Sequence, residues 1–357
     1  METQNIARRT AYKTKISWKS PSNLAIIKYW GKYGTQFPKN PSISFTLNNA
    51  YTISTISYVK KAMSSDEVHL EFLFEGKENS LFKTKLLKFL ESIKNHFSFL
   101  TDYDLEIESE NSFPHSSGIA SSASSMSAIA LCLCSMERDI KGTLKSDEEF
   151  FKKASYIARL GSGSASRSVY PSLAFWGASE HLEESSNEYA IPYTKTVNPV
   201  FLSFHDDILI VSKKEKSVSS TAGHKLMEGN VFASARYKQA NNRMQSLLKA
   251  MKDGDLETFG KICEDEALTL HALMMCSDPS YILIEPQTLS LIKEIRNYRE
   301  ETGHPVYFSL DAGPNIHLLY PNKIAKDIQR WKENVLNGFC LEILKDFVGQ
   351  GPVKMKT

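Results

Sequence analysis

No stretch of this 357-residue sequence approaches the roughly 18 apolar residues of a membrane-spanning helix. The first residues, Met1 to Lys15, are polar and hold no hydrophobic signal core, so a cytoplasmic location is expected. Neither sign of charge dominates: 43 Lys plus Arg oppose 41 Asp plus Glu, a net charge of +2. So balanced a chain has no general attraction for nucleic acid or acidic membrane. A local basic pocket for a small anion stays open. Cysteine is scarce, and Cys132, Cys134, Cys263, Cys276 and Cys340 make no CxxC pair. An odd, scattered set reads as reduced, buried thiols without zinc-ligand spacing. The nine histidines form no ligand spacing either, so no residue is assigned to a metal. No repeat of 20 to 50 residues recurs, which argues against solenoids and propellers. The patterns GxxxxGK[ST], HExxH, GxSxG and the EF-hand loop are absent.

What is present looks globular. Hydrophobic residues make up 41% and charged residues 24%, and the length suits about two domains. Residues 16 to 60 read as β-rich: Ser42 to Leu47 alternates, and Tyr51 to Val59 is rich in β-branched and aromatic residues. Helices are expected over Leu81 to Phe97, Ser121 to Met136 and Asp147 to Leu160, the last stopped by Gly161. Tyr103 to Glu108, Ile208 to Val211, Pro305 to Leu310 and Ile316 to Tyr320 read as strands. Two more helices carry Tyr237 to Met251 and Leu256 to Leu270. Leu182 to Pro199, poor in aliphatics and holding two prolines, is the expected crossing between domains. Strands mixed with helices without strict βαβ alternation predict an α+β fold.

Five segments carry chemistry. Pro114 to Ser125 is a small-residue, Gly-containing loop entering an amphipathic helix. Open amides and the helix dipole make such a start an anion site, although an ordinary N-cap has the same look. Gly161 to Ser168 begins like GxGxxG, but position 166 is serine and a helix precedes it, so a dinucleotide fold is a poor fit. Arg167 at its end could grip a carboxylate or phosphate, or simply lie at the surface. Asn23 to Lys32 sets two lysines and two aromatics around Gly31; a lysine there is a snorkelling strand-end residue or a site cation. Asp311, at a strand end before Ala312-Gly313-Pro314, is a turn former or a fixed catalytic carboxylate. Val218 to Gly223 is a hydroxyl-rich loop after the lysines 213, 214 and 216. The acidic run Glu264-Asp265-Glu266 reads as a solvated helix face.

Taken in order, these segments resemble the diphosphomevalonate decarboxylases of the GHMP small-molecule kinase superfamily. The matching stretches are SNLAIIKYWGK (22–32), FPHSSGIASSAS (113–124), RLGSGSASRSVY (159–170), VSSTAG (218–223) and SLDAGPN (309–315). The resemblance implies a ribosomal S5 domain 2-like N-terminal domain over 1–197, holding an ATP phosphate loop, and a ferredoxin-like domain over 198–357. It implies ATP and Mg²⁺, and a substrate phosphorylated at its tertiary C3 hydroxyl before phosphate and carbon dioxide leave. Asp311 would orient or deprotonate that hydroxyl, and Lys28 would pair with it or stabilise the transferring phosphoryl group. Arg167 would hold the substrate carboxylate, with Asn23 on that carboxylate or on Arg167. Tyr29, Lys32, Ser162 and Ser164 would bind the substrate's phosphate end. Gly118, Ser121 and Ser122 would cradle ATP phosphates, and Ser219, Ser220 and Thr221 would line the site from the second domain. A homodimer is also implied. Tyr33, Ser166 and Ile119 depart from the family's usual residues. The rivals are a decarboxylase of the 5-monophosphate, a kinase without decarboxylation and a catalytically silent binding module; a nucleic-acid binder is disfavoured by the charge.

Overall fold

The computed structural model describes residues 14–63, 65–113, 119–214 and 218–357. Strands β1 (Thr14–Ile27), β2 (Lys32–Tyr33), β3 (Phe37–Pro38), β4 (Ser42–Lys60), β5 (His69–Phe74) and β6 (Lys77–Glu78) precede helix α1 (Ser80–Ser92). Strand β7 (Tyr103–Asn111) leads to α2 (Ser121–Lys141) and α3 (Asp147–Gly161). Then come β8 (Leu173–Trp176), β9 (Ala190–Pro192) and β10 (Phe204–Ile210). Helices α4 (Ser220–Lys225), α5 (Ala233–Asp253), α6 (Leu256–Met275) and α7 (Pro286–Thr302) follow. The chain continues with β11 (Tyr307–Leu310), β12 (Ile316–Pro321), α8 (Ala325–Asn334), β13 (Glu342–Leu344) and β14 (Val353–Met355).

The larger sheet runs β14-β1-β4-β7-β5-β6, with β8 beside β4 and β9 beside β8. Among the described residues its one parallel pair is β5 with β7. The smaller sheet runs β11-β12-β10-β13, and β2 with β3 forms a separate ribbon. This is the mixed α+β arrangement expected. The C-terminal strand β14 pairs with β1, so the chain's end returns to the larger sheet.

Local chemistry explains the helices that frame the site. α1 starts where Asn79 accepts the Phe82 N–H. α3 starts on a capping box of Ser146 and Glu149, with Asp147 and Glu148 adding charge suited to the positive helix end. α2 ends at Gly142, which takes the left-handed conformation at φ 67°. Its many serines do not make it a surface helix. Ser127 Oγ bonds Ser20 Oγ at 2.5 Å, and Ser124 Oγ bonds Thr52 Oγ1 at 2.6 Å. These hydroxyl pairs satisfy buried polar groups and let the helix lie close on the sheet. They also fix where its N-terminus points.

One core packs β1, β4, β5 and β7 against α1, α2 and α3. A second joins the two halves, with Phe45, Phe201, Phe204 and Phe259 fully buried and the Phe201 and Phe259 rings 4.8 Å apart. Removing one such ring costs about 3–5 kcal/mol. A third lies under the smaller sheet against α7 and α8.

Several expectations shift. The helix expected to reach Phe97 stops at Ser92, where Ile93 leaves helical geometry at φ −108° and ψ 9°, and a short 3₁₀ turn follows. Gly161 is the last residue of α3 and not its stop; a Cβ there would strike Met126 Cε. The VSSTAG segment is not wholly loop, because Ser220–Lys225 is helical. Helices α7 and α8 were not anticipated, although Leu291, Ile292 and Ile295 are the buried stripe of α7.

Candidate active site

β1 loses its ladder at the place where the site begins. Its pairing with β4 ends at Ile27 opposite Ile43. The next backbone groups need other partners, and side chains supply them. The Lys28 N–H donates to Glu266 Oε2 at 2.9 Å, and Asn40 Nδ2 donates to the Lys28 carbonyl at 3.1 Å. The Gly31 N–H donates to His224 Nδ1 at 3.0 Å. Gly31 sits at φ 99°, a conformation L side chains rarely adopt.

The Lys28 side chain turns inward and is 2% exposed. Its ammonium donates to Asp311 Oδ1 at 2.9 Å, although 283 residues separate them in the chain. Asp311 directly follows β11, and its side chain is 23% exposed, so the pair opens on one side. Arg167 ends a short 3₁₀ helix and is buried. Its Nε donates to Ser44 Oγ at 3.0 Å, Nη1 to Ser42 Oγ at 2.6 Å and Nη2 to Asn23 Oδ1 at 3.3 Å. Those three bonds leave one N–H on each terminal nitrogen, the pair an end-on carboxylate needs. Asn23 is itself held by donating to Ser168 Oγ at 2.7 Å and to the Ser164 carbonyl at 3.1 Å.

These groups share a cavity of about 480 Å³. Lys28, Asp311, Arg167 and Asn23 line it together with Tyr29, Lys32, Ser162 and Ser164. Ser121 and Ser122, the first residues of α2, line it too, as do Ser220 and Thr221 of α4. Another part of its wall is apolar, built from Phe72, Phe74, Phe82, Phe89, Met126 and Ile129. Ser219 lies elsewhere: it caps α4 by accepting the Ala222 N–H and faces a neighbouring depression. Gly118 lies outside the described residues.

Burial tunes the site. It pulls the Arg167 guanidinium down to about 10, against Asp311 and Tyr29, so the group stays charged at neutral pH. It pushes the Tyr29 phenol well up, against Arg167 and Arg159, so that phenol remains a donor. Among the described residues the Tyr29 hydroxyl has no hydrogen-bond partner, which suits a group that binds a ligand. A Cβ at residue 163 would come 2.7 Å from that hydroxyl, so glycine there keeps it clear. Burial, then Lys32, presses His224 down to about 3. A neutral His224 agrees with its Nδ1 accepting the Gly31 N–H. Lys32 is lowered by burial and donates to Gln36 Oε1 at 3.0 Å.

Glu264 and Glu266 are not on a solvated face; they are 5% and 0% exposed. Glu266 accepts from Arg236 and Arg243 as well as from Lys28. The signal was available: Glu266 continues the apolar stripe Phe259, Ile262, Leu270, and Arg236 continues Ala240, Met244, Leu247. Ser42 and Ser44 were read only as strand residues, and the apolar wall was not foreseen. Its residues come from three separate elements, so no local pattern announces it.

Residues 20–188 match the diphosphomevalonate decarboxylase-like N-terminal domain, and residues 207–350 match the mevalonate 5-diphosphate decarboxylase C-terminal domain. The diphosphomevalonate decarboxylase of Ganoderma lucidum is 29% identical over 326 residues, covering 87% of this chain and 79% of that protein. The crystal structure of mevalonate diphosphate decarboxylase from Staphylococcus aureus superposes with a TM-score of 0.81 at 26% identity, covering 97% of this chain and all of that one. A structure described as MDDEF in complex with MVAPP, AMPPCP and magnesium gives 0.80 at 26% identity, covering 96% and 99%.

Proposed function

This chain belongs to the diphosphomevalonate decarboxylase family, with the GHMP kinase fold, and we propose on that premise that it converts ATP and mevalonate 5-diphosphate to isopentenyl diphosphate, ADP, phosphate and carbon dioxide. The observation that carries the reading is the Lys28–Asp311 ion pair opening into the same cavity as the Arg167 guanidinium.

A tertiary hydroxyl is a poor leaving group, so a phosphoryl group must be placed on it first. Asp311 faces the cavity with a carboxylate able to orient that C3 hydroxyl or accept its proton. Lys28, held 2.9 Å away, orients the carboxylate and adds positive charge beside the transferring group. The C3–O bond then breaks toward phosphate. The bond to the carboxyl carbon supplies its electron pair to the electron-poor C3, which forms the double bond and releases carbon dioxide. Arg167, with its two remaining N–H groups, fits the role of holding that carboxylate in line. Asn23 acts on Arg167 itself, accepting from Nη2.

Tyr29, Lys32, Ser162 and Ser164 offer the donors for the substrate's diphosphate. Ser121 and Ser122 open α2, whose N-cap Ala120 makes no side-chain cap among the described residues; the Ser121 amide donates to the Ile119 carbonyl, so the Ser122 amide and the two hydroxyls are what this start offers to nucleotide phosphates. The apolar wall suits the adenine base. Mg²⁺ supplies charge neutralisation on phosphate oxygens. Among the described residues no group of three His, Cys, Asp or Glu gathers to hold a metal. The serine hydroxyls and nucleotide phosphates fit an ion that binds through oxygen and keeps several waters.

We take residues 1–197 as the S5-like domain with the ATP phosphate loop and 198–357 as the second domain, whose last strand β14 reaches back to pair with β1, the whole working as a cytoplasmic homodimer. Among the described residues no helix is long and apolar enough to cross a membrane. The decisive experiment supplies MgATP with the 5-diphosphate and, in parallel, the 5-monophosphate. Carbon dioxide and ADP in equal amounts from the 5-diphosphate support the reading. ADP without carbon dioxide reduces the protein to a kinase.

A further inference from the structure

The Lys28–Asp311 pair joins two sheets, and a pair spanning two bodies needs something to hold its register. One helix touches the backbone on both sides. Glu266 of α6 accepts the Lys28 N–H at 2.9 Å. Five residues on, His271 bonds through Nε2 to the Asp311 carbonyl oxygen at 3.1 Å. A carbonyl can only accept, so His271 Nε2 carries the proton and donates. Both side chains are buried, Glu266 at 0% and His271 at 1% exposure.

Glu266 is itself fixed. Arg236 Nη1 donates to Oε1 at 2.6 Å and Nη2 to Oε2 at 2.5 Å, while Arg243 Nη1 donates to Oε1 at 2.8 Å. Burial works to raise the Glu266 carboxyl, but the Arg236 charge and these hydrogen bonds win and hold it below its ordinary value. Arg236 Nη2 also reaches the Lys28 carbonyl at 3.3 Å. Both backbone groups of Lys28 are therefore held by the ion pair between α5 and α6, at the point where β1 has no further ladder.

We propose that α6 is the alignment element of the catalytic pair: Glu266 and His271 are positioning residues that set the Lys28 ammonium against the Asp311 carboxylate. Neither is required to touch substrate. The proposal rests on the function above, through the role it gives Lys28 and Asp311. A misplacement near 1 Å at reacting groups costs on the order of 100-fold in rate.

The test compares Glu266→Gln, His271→Leu and His271→Gln, the last keeping a side-chain donor near the position of Nε2. For His271→Leu, kcat falls at least about 30-fold, while substrate KM and nucleotide Kd stay within about threefold. His271→Gln recovers a large part of the loss. Crystal structures of Glu266→Gln and His271→Leu show Lys28 Nζ to Asp311 Oδ1 beyond hydrogen-bond reach, without any substrate present. If Glu266→Gln fails to fold because Arg236 is left unpaired, His271→Leu decides alone, since it leaves the Arg236–Glu266 pair in place. Wild-type kcat in His271→Leu, or an unchanged Lys28–Asp311 distance in the folded variants, overturns the proposal. Failure of the wild-type protein to release carbon dioxide would instead strike the functional reading, and the structural distances would still judge the alignment.

Discussion

Replacing Asp311 with asparagine separates the carboxylate's charge from its shape. Asn keeps an oxygen where Oδ1 accepts the Lys28 ammonium at 2.9 Å, so local packing changes little. What goes is the negative charge and the ability to take a proton. Loss of one positioned acid–base group slows reactions by roughly 10²–10⁴, or about 3–5 kcal/mol of transition-state stabilisation. The stability cost is separate. Lys28 is 2% exposed, so its ammonium loses a charged partner inside the protein. Removing one partner of a fully buried pair costs about 3–5 kcal/mol, but Asp311 is 23% exposed and water can reach its side, so about 1–3 kcal/mol is expected. The assay measures ADP and carbon dioxide release under saturating substrates, with nucleotide Kd by calorimetry and Tm by thermal unfolding. The expected result is a kcat at least about 100-fold lower, nucleotide Kd within about threefold and a modest fall in Tm. A folded variant with kcat within about fivefold of wild type would falsify a catalytic role for this carboxylate.

Other expectations follow from the same geometry. Arg167→Lys removes the planar fork and the bonds to Ser42, Ser44 and Asn23, so substrate KM should rise and kcat fall together by about 100-fold; unchanged KM would detach Arg167 from the carboxylate. Met126→Trp should crowd the apolar wall and raise nucleotide Kd about tenfold or more, read by calorimetry, with the KM of the 5-diphosphate unaffected. His224 should make the protein acid-sensitive. Its folded pKa, near 3, lies below the ordinary 6.5, so the unfolded chain takes the proton first. Its stabilising contribution is therefore intact above pH 6.5 and falls by about 1.4 kcal/mol per pH unit below it, until the folded group titrates. Denaturant titrations of wild type and His224→Asn between pH 7 and 4 should diverge in slope; parallel curves would contradict the assignment.

Legibility in the sequence followed the range of the physics. α3 and α2 were readable because the helix period acts within a few residues, although Gly161 lies inside α3 and does not stop it. Lys28, Arg167 and Asp311 were picked out by motif likeness, yet their distances from one another could not be read along the chain. Glu266 was misread for the same reason. Three acids in a row look solvated, and only the packing of α5 on α6 supplies the two guanidiniums that make burial tolerable. The serine positions 42 and 44 looked like an ordinary strand face until Arg167 was brought against them.

By itself the sequence determined the type of most of the elements it marked, the balanced net charge and the family resemblance, because these depend on local propensity, composition and contiguous motifs. Tertiary structure alone decided which polar side chains are buried together. A buried charge is tolerable only with a partner at hydrogen-bond distance, and for the Lys28 ammonium that partner, Asp311, lies 283 residues away along the chain.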